Sequence, residues 1–168
     1  MTVTLTTAAR ADEPVLQNLA QFYTHDFSEF WVGTSNGDLM ADGRFEPYPL
    51  ASYWTDPVRS AQFIWSDGFL AGFALVNDHA HSGVPVASSM AEFFVLRKHR
   101  GQGVGRIAAE LVFSQRPGPW EVAVARRNTQ ALTFWRRAVQ ATGRAHDLVE
   151  TDVSSDGWNG PILRFIWS

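Results

Sequence analysis

The sequence predicts an α/β domain. Three stretches carry the prediction: a strand leading straight into a helix at the N-terminus, a strand, glycine-rich loop and helix in series between residues 90 and 116, and a second strand and helix directly behind them. Val3–Thr7 is a short alternating run rich in β-branched residues, as a half-buried strand requires. Asp12-Glu13-Pro14 then opens a helix, with acids at the positive end of its dipole and Pro where no N–H is needed; Leu16, Leu19, Phe22 and Tyr23 recur at helical spacing behind it. Residues 24–60 are irregular, with Phe27, Phe30 and Trp31 marking a second short helix and Asn36-Gly37, Asp42-Gly43, Pro47 and Pro49 marking turns. Residues 62–65 and 69–76 flank Ser66-Asp67-Gly68, where Asp-Gly accepts the positive φ angles of a tight turn, so the two runs pair as an antiparallel hairpin. Residues 90–96 form the next strand, and Ile107, Ala108, Leu111 and Val112 stripe a helix that Pro117-Gly118-Pro119 stops. Residues 120–125 alternate as a strand, after which Asn128 caps a helix whose stripe of Ala131, Leu132, Trp135, Ala138 and Val139 ends before Gly143. Residues 148–153 and 162–167 close the chain as a strand pair. With no repeat, linker or low-complexity tract, residues 1–168 read as a single domain.

Composition narrows the function classes. The chain has 168 residues, 45% of them apolar and 13% aromatic, and only 18% charged, which is ample for a packed core and rules out disorder, collagen and coiled coil. It contains no cysteine, so disulfides, Cys-ligated zinc, iron–sulfur clusters and thiol nucleophiles are excluded. The longest near-apolar run, residues 69–76, falls far short of the roughly 20 residues of a bilayer span. The N-terminus also lacks a basic segment followed by an apolar one, so a soluble, cytoplasmic protein without a membrane partner is expected. The net charge of −3 is unevenly spread. Residues 1–96 set three arginines (Arg10, Arg44 and Arg59) against eleven acids, whereas residues 97–144 set ten bases against Glu110 and Glu121 alone. A basic segment inside an acidic protein suits a multiply charged anionic ligand and is too local for a nucleic-acid footprint.

That segment holds the run Arg100-Gly101-Gln102-Gly103-Val104-Gly105 at a helix N-terminus. Glycines there let the backbone approach a ligand and turn successive N–H groups inward, and the helix adds the positive end of its dipole, which together make an anion cradle. Arg97, Arg100 and Arg106 add charge-assisted donors suited to a pyrophosphate. A P-loop is excluded, because Arg106-Ile107 stand where Lys and a hydroxyl residue are required. Gly103-x-Gly105-x-x-Ala108 fits a dinucleotide fingerprint, with Arg126 placed to read a 2′-phosphate. Against that reading, four residues intervene after the strand, and only one further strand-helix unit follows.

The run from Phe93 through Leu96 to Gly105 resembles the signature of the GNAT superfamily of acyl-CoA-dependent N-acyltransferases, Gln/Arg-x-x-Gly-x-Gly/Ala after a central strand, here Arg100, Gly103 and Gly105. A second family motif, Asn-x-x-Ala-x-x followed by two aromatics, matches Asn128, Ala131, Phe134 and Trp135. The element order resembles the family over nearly the whole chain, with the specific part at residues 92–141 and a cofactor-binding core at about 90–141. The resemblance implies a mixed, mostly antiparallel twisted sheet with helices on both faces. It further implies that acetyl-CoA, and coenzyme A after reaction, is held by the backbone of Phe94, Val95 and Leu96, by the loop Arg97, Arg100, Gly101, Gln102, Gly103, Val104, Gly105 and Arg106, and by Asn128 and Trp135. A main-chain N–H near Leu96 is expected to polarise the thioester carbonyl, and Glu92 is the candidate base. Asn128 serves equally well as a helix cap.

The family's usual Tyr acid is replaced by Trp135, which supplies no proton at neutral pH and lies on an apolar stripe; Tyr23, Tyr48, Tyr53 or water is left for that role. For the acceptor, Asp26 and Glu29 beside Tyr23, Phe27, Phe30 and Trp31 offer an acidic aromatic wall for a cationic amine. His79 and His81 alternate like strand-borne ligands but lack further spaced partners, so no metal is expected. The resulting expectation is an N-acetyltransferase that moves an acetyl group from acetyl-CoA to a primary amine of a small molecule or peptide by direct attack, with a homodimer through edge strands allowed by the resemblance. The alternatives are a non-catalytic acyl-CoA-binding or sensor module of the same fold and, behind it, an NADP-dependent oxidoreductase.

Overall fold

A computed structural model describes residues 1–168. Seven strands form one sheet: β1 (Val3–Thr7), β2 (Ser60–Ser66), β3 (Phe69–Asn77), β4 (Ser88–Val95), β5 (Gly118–Ala123), β6 (Ala145–Ser154) and β7 (Asn159–Trp167), in the order β1-β2-β3-β4-β5-β7-β6. Every neighbouring pair is antiparallel except β4 and β5. The β2–β3 turn has positive φ at both Asp67 (49°) and Gly68 (80°), the geometry whose twist matches a hairpin. α1 (Glu13–Ser28) covers one face of the sheet, and α2 (Val104–Ser114) and α3 (Thr129–Gln140) cover the other. This is the mixed, mostly antiparallel sheet with helices on both faces that the sequence predicts.

Two packed layers result. Leu16 and Leu19 of α1 bury against Phe63, Phe73, Leu75 and Phe94 of the sheet. On the opposite face, the Phe113 ring of α2 meets Trp120 of β5, Phe165 of β7 and Trp167 of β7 at centroid distances of 4.9, 5.1 and 5.1 Å, holding the helix layer to the C-terminal half of the sheet. No helix is long and apolar enough to cross a membrane.

Two irregularities prepare a site. β4 and β5 pair only through Ser88 with Trp120 and Ser89 with Glu121; beyond that point the parallel strands part and leave a gap. In β4 the register slips between the pairs Leu75–Glu92 and Val76–Met90, so Ala91 is a bulge. Ala91 therefore packs on the α1 side of the sheet, and Glu92 reaches Tyr23 and Tyr48 on that same side.

The second short helix expected around Phe27, Phe30 and Trp31 is not formed. α1 runs on to Ser28 and carries Phe27, and only a 3-10 turn, Glu29–Trp31, follows it. Glycines and prolines at Gly33, Gly37, Gly43, Pro47 and Pro49 leave no stretch there long enough to propagate a helix. β4, β5 and β6 also begin two or three residues earlier than their periodicity marks, because ladder pairing continues past the last alternating side chain.

Candidate functional site

The glycine-rich run forms a tight connection. A 3-10 turn, Arg97–His99, follows β4, and Gly103 occupies the N-cap of α2 at φ +86°, a left-handed conformation that a residue with a Cβ adopts only under strain. Val104 is fully buried beneath the loop with Ile64, Ala71 and Ala108, which fixes the helix start. The N–H groups of the first α2 turn, unmatched by any helical carbonyl, open into the gap between β4 and β5 at the positive end of the dipole.

An open cleft of about 780 Å³ occupies this gap. One wall is Tyr23, Phe27 and Phe30 from α1 and the turn after it; the other is Phe134 and Arg137 from α3. Arg97, Arg100 and Arg106 stand at the glycine loop. Arg127 bridges the two walls, its guanidinium donating to the Phe30 carbonyl at 3.1 Å. Asn128 lines the cleft while its Oδ1 accepts the Ala131 N–H at 3.0 Å, so helix capping and a place at the ligand coexist in one residue.

The backbone of β4 is divided between two neighbours. The Leu96 N–H donates to the Ala71 carbonyl at 2.8 Å, completing the β3 ladder. By strand alternation, Phe93 and Val95 then direct their polar groups toward the gap, where the Val95 carbonyl accepts Arg100 Nε at 2.7 Å. Of the N–H groups near Leu96, the one turned toward the gap is therefore that of Val95, and the Leu96 N–H is engaged in the sheet.

Glu92 sits where Tyr23 and Tyr48 converge: the Tyr23 hydroxyl donates to Oε2 and the Tyr48 hydroxyl to Oε1. Burial pushes the Glu92 carboxyl above its ordinary value, against the two tyrosine hydrogen bonds that favour its charged form. The same burial, together with the Glu92 charge, drives both tyrosines well above the ordinary tyrosine value, so they are hydrogen-bond donors that keep their protons. Tyr23 faces the large cleft, whereas Glu92 and Tyr48 face a second cavity of about 230 Å³ that also contains Tyr53, Arg59, Asn77, His81 and Ser89. The Tyr23–Glu92–Tyr48 chain of hydrogen bonds thus runs from one cavity to the other.

Several expected site residues have other work. Asp26, assigned to the acceptor from the charge balance, pairs with Arg97 at 2.8 Å and Arg100 at 2.6 Å. Partial burial raises its carboxyl, but the hydrogen bonds from those arginines outweigh that and hold it below the usual range. Trp135 lies in the core with 6% of its surface exposed, packed edge-on to Phe93 at 5.1 Å, and Phe134 faces the cleft in its place. Trp31 packs on Phe27 at 5.0 Å and is not part of the cleft wall. The Gln102 side chain turns back to the Lys98 carbonyl at 2.9 Å, leaving backbone as its contribution to the loop. Arg126, the candidate for reading a 2′-phosphate, binds Asn159, Asp152 and the Val153 carbonyl away from the cleft. His79 and His81 meet edge-on at 4.7 Å, and His81 packs on Trp158 at 4.3 Å. Gln130, Thr133 and Arg137 complete the cleft at i, i+3 and i+7 on α3, a polar face visible in the sequence beside the apolar stripe.

Similar architectures are known among solved structures. An acetyltransferase from Thermus thermophilus matches 99% of this chain and 96% of its own with a TM-score of 0.63 at 15% identity. A GNAT-family acetyltransferase from Staphylococcus aureus matches 97% of this chain and 98% of its own, with a TM-score of 0.62 at 11% identity. An N-acetyltransferase from Thermoplasma acidophilum, solved in complex with coenzyme A, matches 99% of this chain and 100% of its own, with a TM-score of 0.61 at 12% identity. No protein-family model and no curated protein matches the sequence.

Proposed function

The chain has the fold of the GNAT acetyltransferases, and from that premise we propose that it is an N-acetyltransferase, moving an acetyl group from acetyl-CoA to a primary amine of a small molecule or peptide by direct attack. The observation that carries the proposal is the gap between β4 and β5, with a cationic glycine loop at one end and a buried carboxylate beside it. The residues present fit the cofactor. A left-handed N-cap glycine, outward helix N–H groups and three arginines suit a diphosphate, and the parted strand edge at Phe93 and Val95 suits an extended amide-bearing arm.

When bound, acetyl-CoA supplies an acyl carbon activated toward attack by its thiolate leaving group. The chain's own residues do the rest. Arg97, Arg100, Arg106 and the first turn of α2 hold the diphosphate, and Asn128 and the β4 edge align the arm. The Val95 N–H is the donor for the acyl oxygen. Glu92 takes the proton that the amine nitrogen loses as its bond to carbon forms, and its raised carboxyl brings it closer to the basicity that this task requires. Tyr23, hydrogen-bonded to Glu92 and facing the cleft, connects the two. With Trp135 in the core and the Tyr23 pKa raised, neither side chain is suited to supply a proton to a leaving thiolate.

The test is thiol release from acetyl-CoA in the presence of a panel of amines. Turnover with at least one amine class is expected. Tight acetyl-CoA binding without turnover of any amine would instead favour a non-catalytic binding module of the same fold.

A further inference from the structure

The second cavity holds a guanidinium and a carboxyl group that do not pair with each other. Arg59 and Glu92 both line its roughly 230 Å³, yet the only ion pair of Arg59 is with Asp56 at 3.3 Å, and both oxygens of Glu92 are taken by tyrosine hydroxyls. Arg59 uses its Nε for that contact, its guanidinium lies 5.6 Å from the Tyr53 ring, and none of its nitrogens bonds Glu92. The other polar groups on the walls are neutral: the Tyr48 and Tyr53 hydroxyls, Asn77, Ser89, and His81, whose pKa burial pushes below its ordinary value.

Resting on the acyltransferase reading above, we infer that this cavity is the acceptor site and that its acceptor is a small amino-carboxylate such as a free α-amino acid, with the carboxylate on Arg59 and the amine at Glu92. A planar carboxylate matches a guanidinium fork bidentately, and an ammonium group matches a carboxylate already poised to take its proton. The size is right, because the cavity lies below the range that holds drug-sized ligands. The same charges argue against a polyamine: Arg59 would face a second cationic group, and only Glu92 is there to compensate it. A peptide amine, with an amide in place of the adjacent carboxylate, leaves Arg59 unmatched. Glu92 joins this cavity to the acyl cleft, since the Tyr23 hydroxyl that donates to it belongs to a side chain lining that cleft, so an amine held at Glu92 lies at the junction of the two.

The test compares L-amino acids with their own carboxamides, and with spermidine, as acceptors for the intact protein and for Arg59→Gln and Arg59→Lys. Binding of the N-acetyl amino acid products is followed in parallel by calorimetry. The amines of the carboxamides are less basic and thus more of them is free at neutral pH, so a preference for the acid isolates the carboxylate contact. The expected result is a preference for the free acids of about tenfold or more, arising in KM. In Arg59→Gln that preference collapses and product binding weakens by a similar factor, with the acetyl-CoA-induced thermal shift retained. Arg59→Lys, which keeps the charge but loses the fork, falls between the two. Equal use of acids, amides and spermidine, or an acid preference that survives in Arg59→Gln, overturns the acceptor assignment while leaving the acyltransferase reading intact. Failure of the wild-type protein to bind acetyl-CoA overturns both. If Arg59→Gln does not fold, the acid-to-amide ratio of the wild-type protein still decides.

Discussion

Replacing Glu92 with Gln separates chemistry from packing. The amide keeps the side-chain volume and can accept from one of Tyr23 and Tyr48 while donating to the other, so both tyrosine contacts are kept. What disappears is the proton acceptor. A positioned general base contributes about 10²- to 10⁴-fold, so kcat/KM should fall by that factor, equivalent to about 2.7–5.4 kcal/mol of transition-state stabilisation. Stability should move the other way. Because burial raises the folded-state pKa of Glu92, its contribution is fully present below the unfolded value of about 4.3 and is lost as pH rises through the folded value. The variant has no carboxyl to titrate at this position, so it escapes that loss. The variant's thermal midpoint should therefore equal or exceed that of wild type at pH 7 and vary less between pH 4 and 7. The assays are steady-state thiol release at saturating acetyl-CoA and thermal melts across that range. A variant that turns over within about threefold of wild type refutes the base assignment. A variant that loses acetyl-CoA binding along with several degrees of midpoint shows that Glu92 is structural.

Three further outcomes are expected. In Tyr23→Phe, removing a donor that favours the charged form raises the Glu92 pKa further, so the acid limb of the kcat/KM profile shifts to higher pH; a limb that stays put separates Tyr23 from the base. Gly103→Val places a β-branched residue at φ +86°, costing about 1–2 kcal/mol in a urea melt and weakening acetyl-CoA binding by calorimetry, although its Cβ meets nothing closer than 3.7 Å. Trp135→Ala should cost about 3–5 kcal/mol as a core truncation, whereas Trp135→Tyr should leave kcat unchanged, since the position faces Phe93 and Phe113 and not the cleft.

What could be read from the sequence was local. The glycine loop declares itself in six consecutive residues, and the Asn128 cap and α3 stripe within twelve, because helix periodicity and left-handed glycines leave marks at short range. Glu92 was singled out for the same reason, as a carboxylate at the head of the strand that runs into the loop. Its partner Tyr48 lies 44 residues away across an irregular segment, and no spacing rule joins them. Charge counting placed Asp26 with the acceptor because it registers only that the N-terminal part of the chain is acidic. The fold brings that carboxylate across to Arg97 and Arg100, where it balances the arginines of the glycine loop. The second cavity was invisible for a related reason. Its walls come from the segment before β2, the end of β3, the loop after β3 and the bulged part of β4, and they meet only once the sheet has formed. The bulge at Ala91 leaves no sequence signal, yet it accompanies the turn of Glu92 toward Tyr23 and Tyr48.

The most direct test of the account is a thermal-shift titration of the purified protein with acetyl-CoA, with NADPH as the control anion. A ligand at 100 times its dissociation constant stabilises the folded state by about 2.7 kcal/mol, a shift of several degrees for a domain of this size. The account predicts that acetyl-CoA raises the midpoint saturably, that coenzyme A does the same, and that NADPH has no effect. A midpoint unmoved by acetyl-CoA, or moved by NADPH alone, would contradict the assignment of the β4–β5 gap and its glycine loop to acyl-CoA.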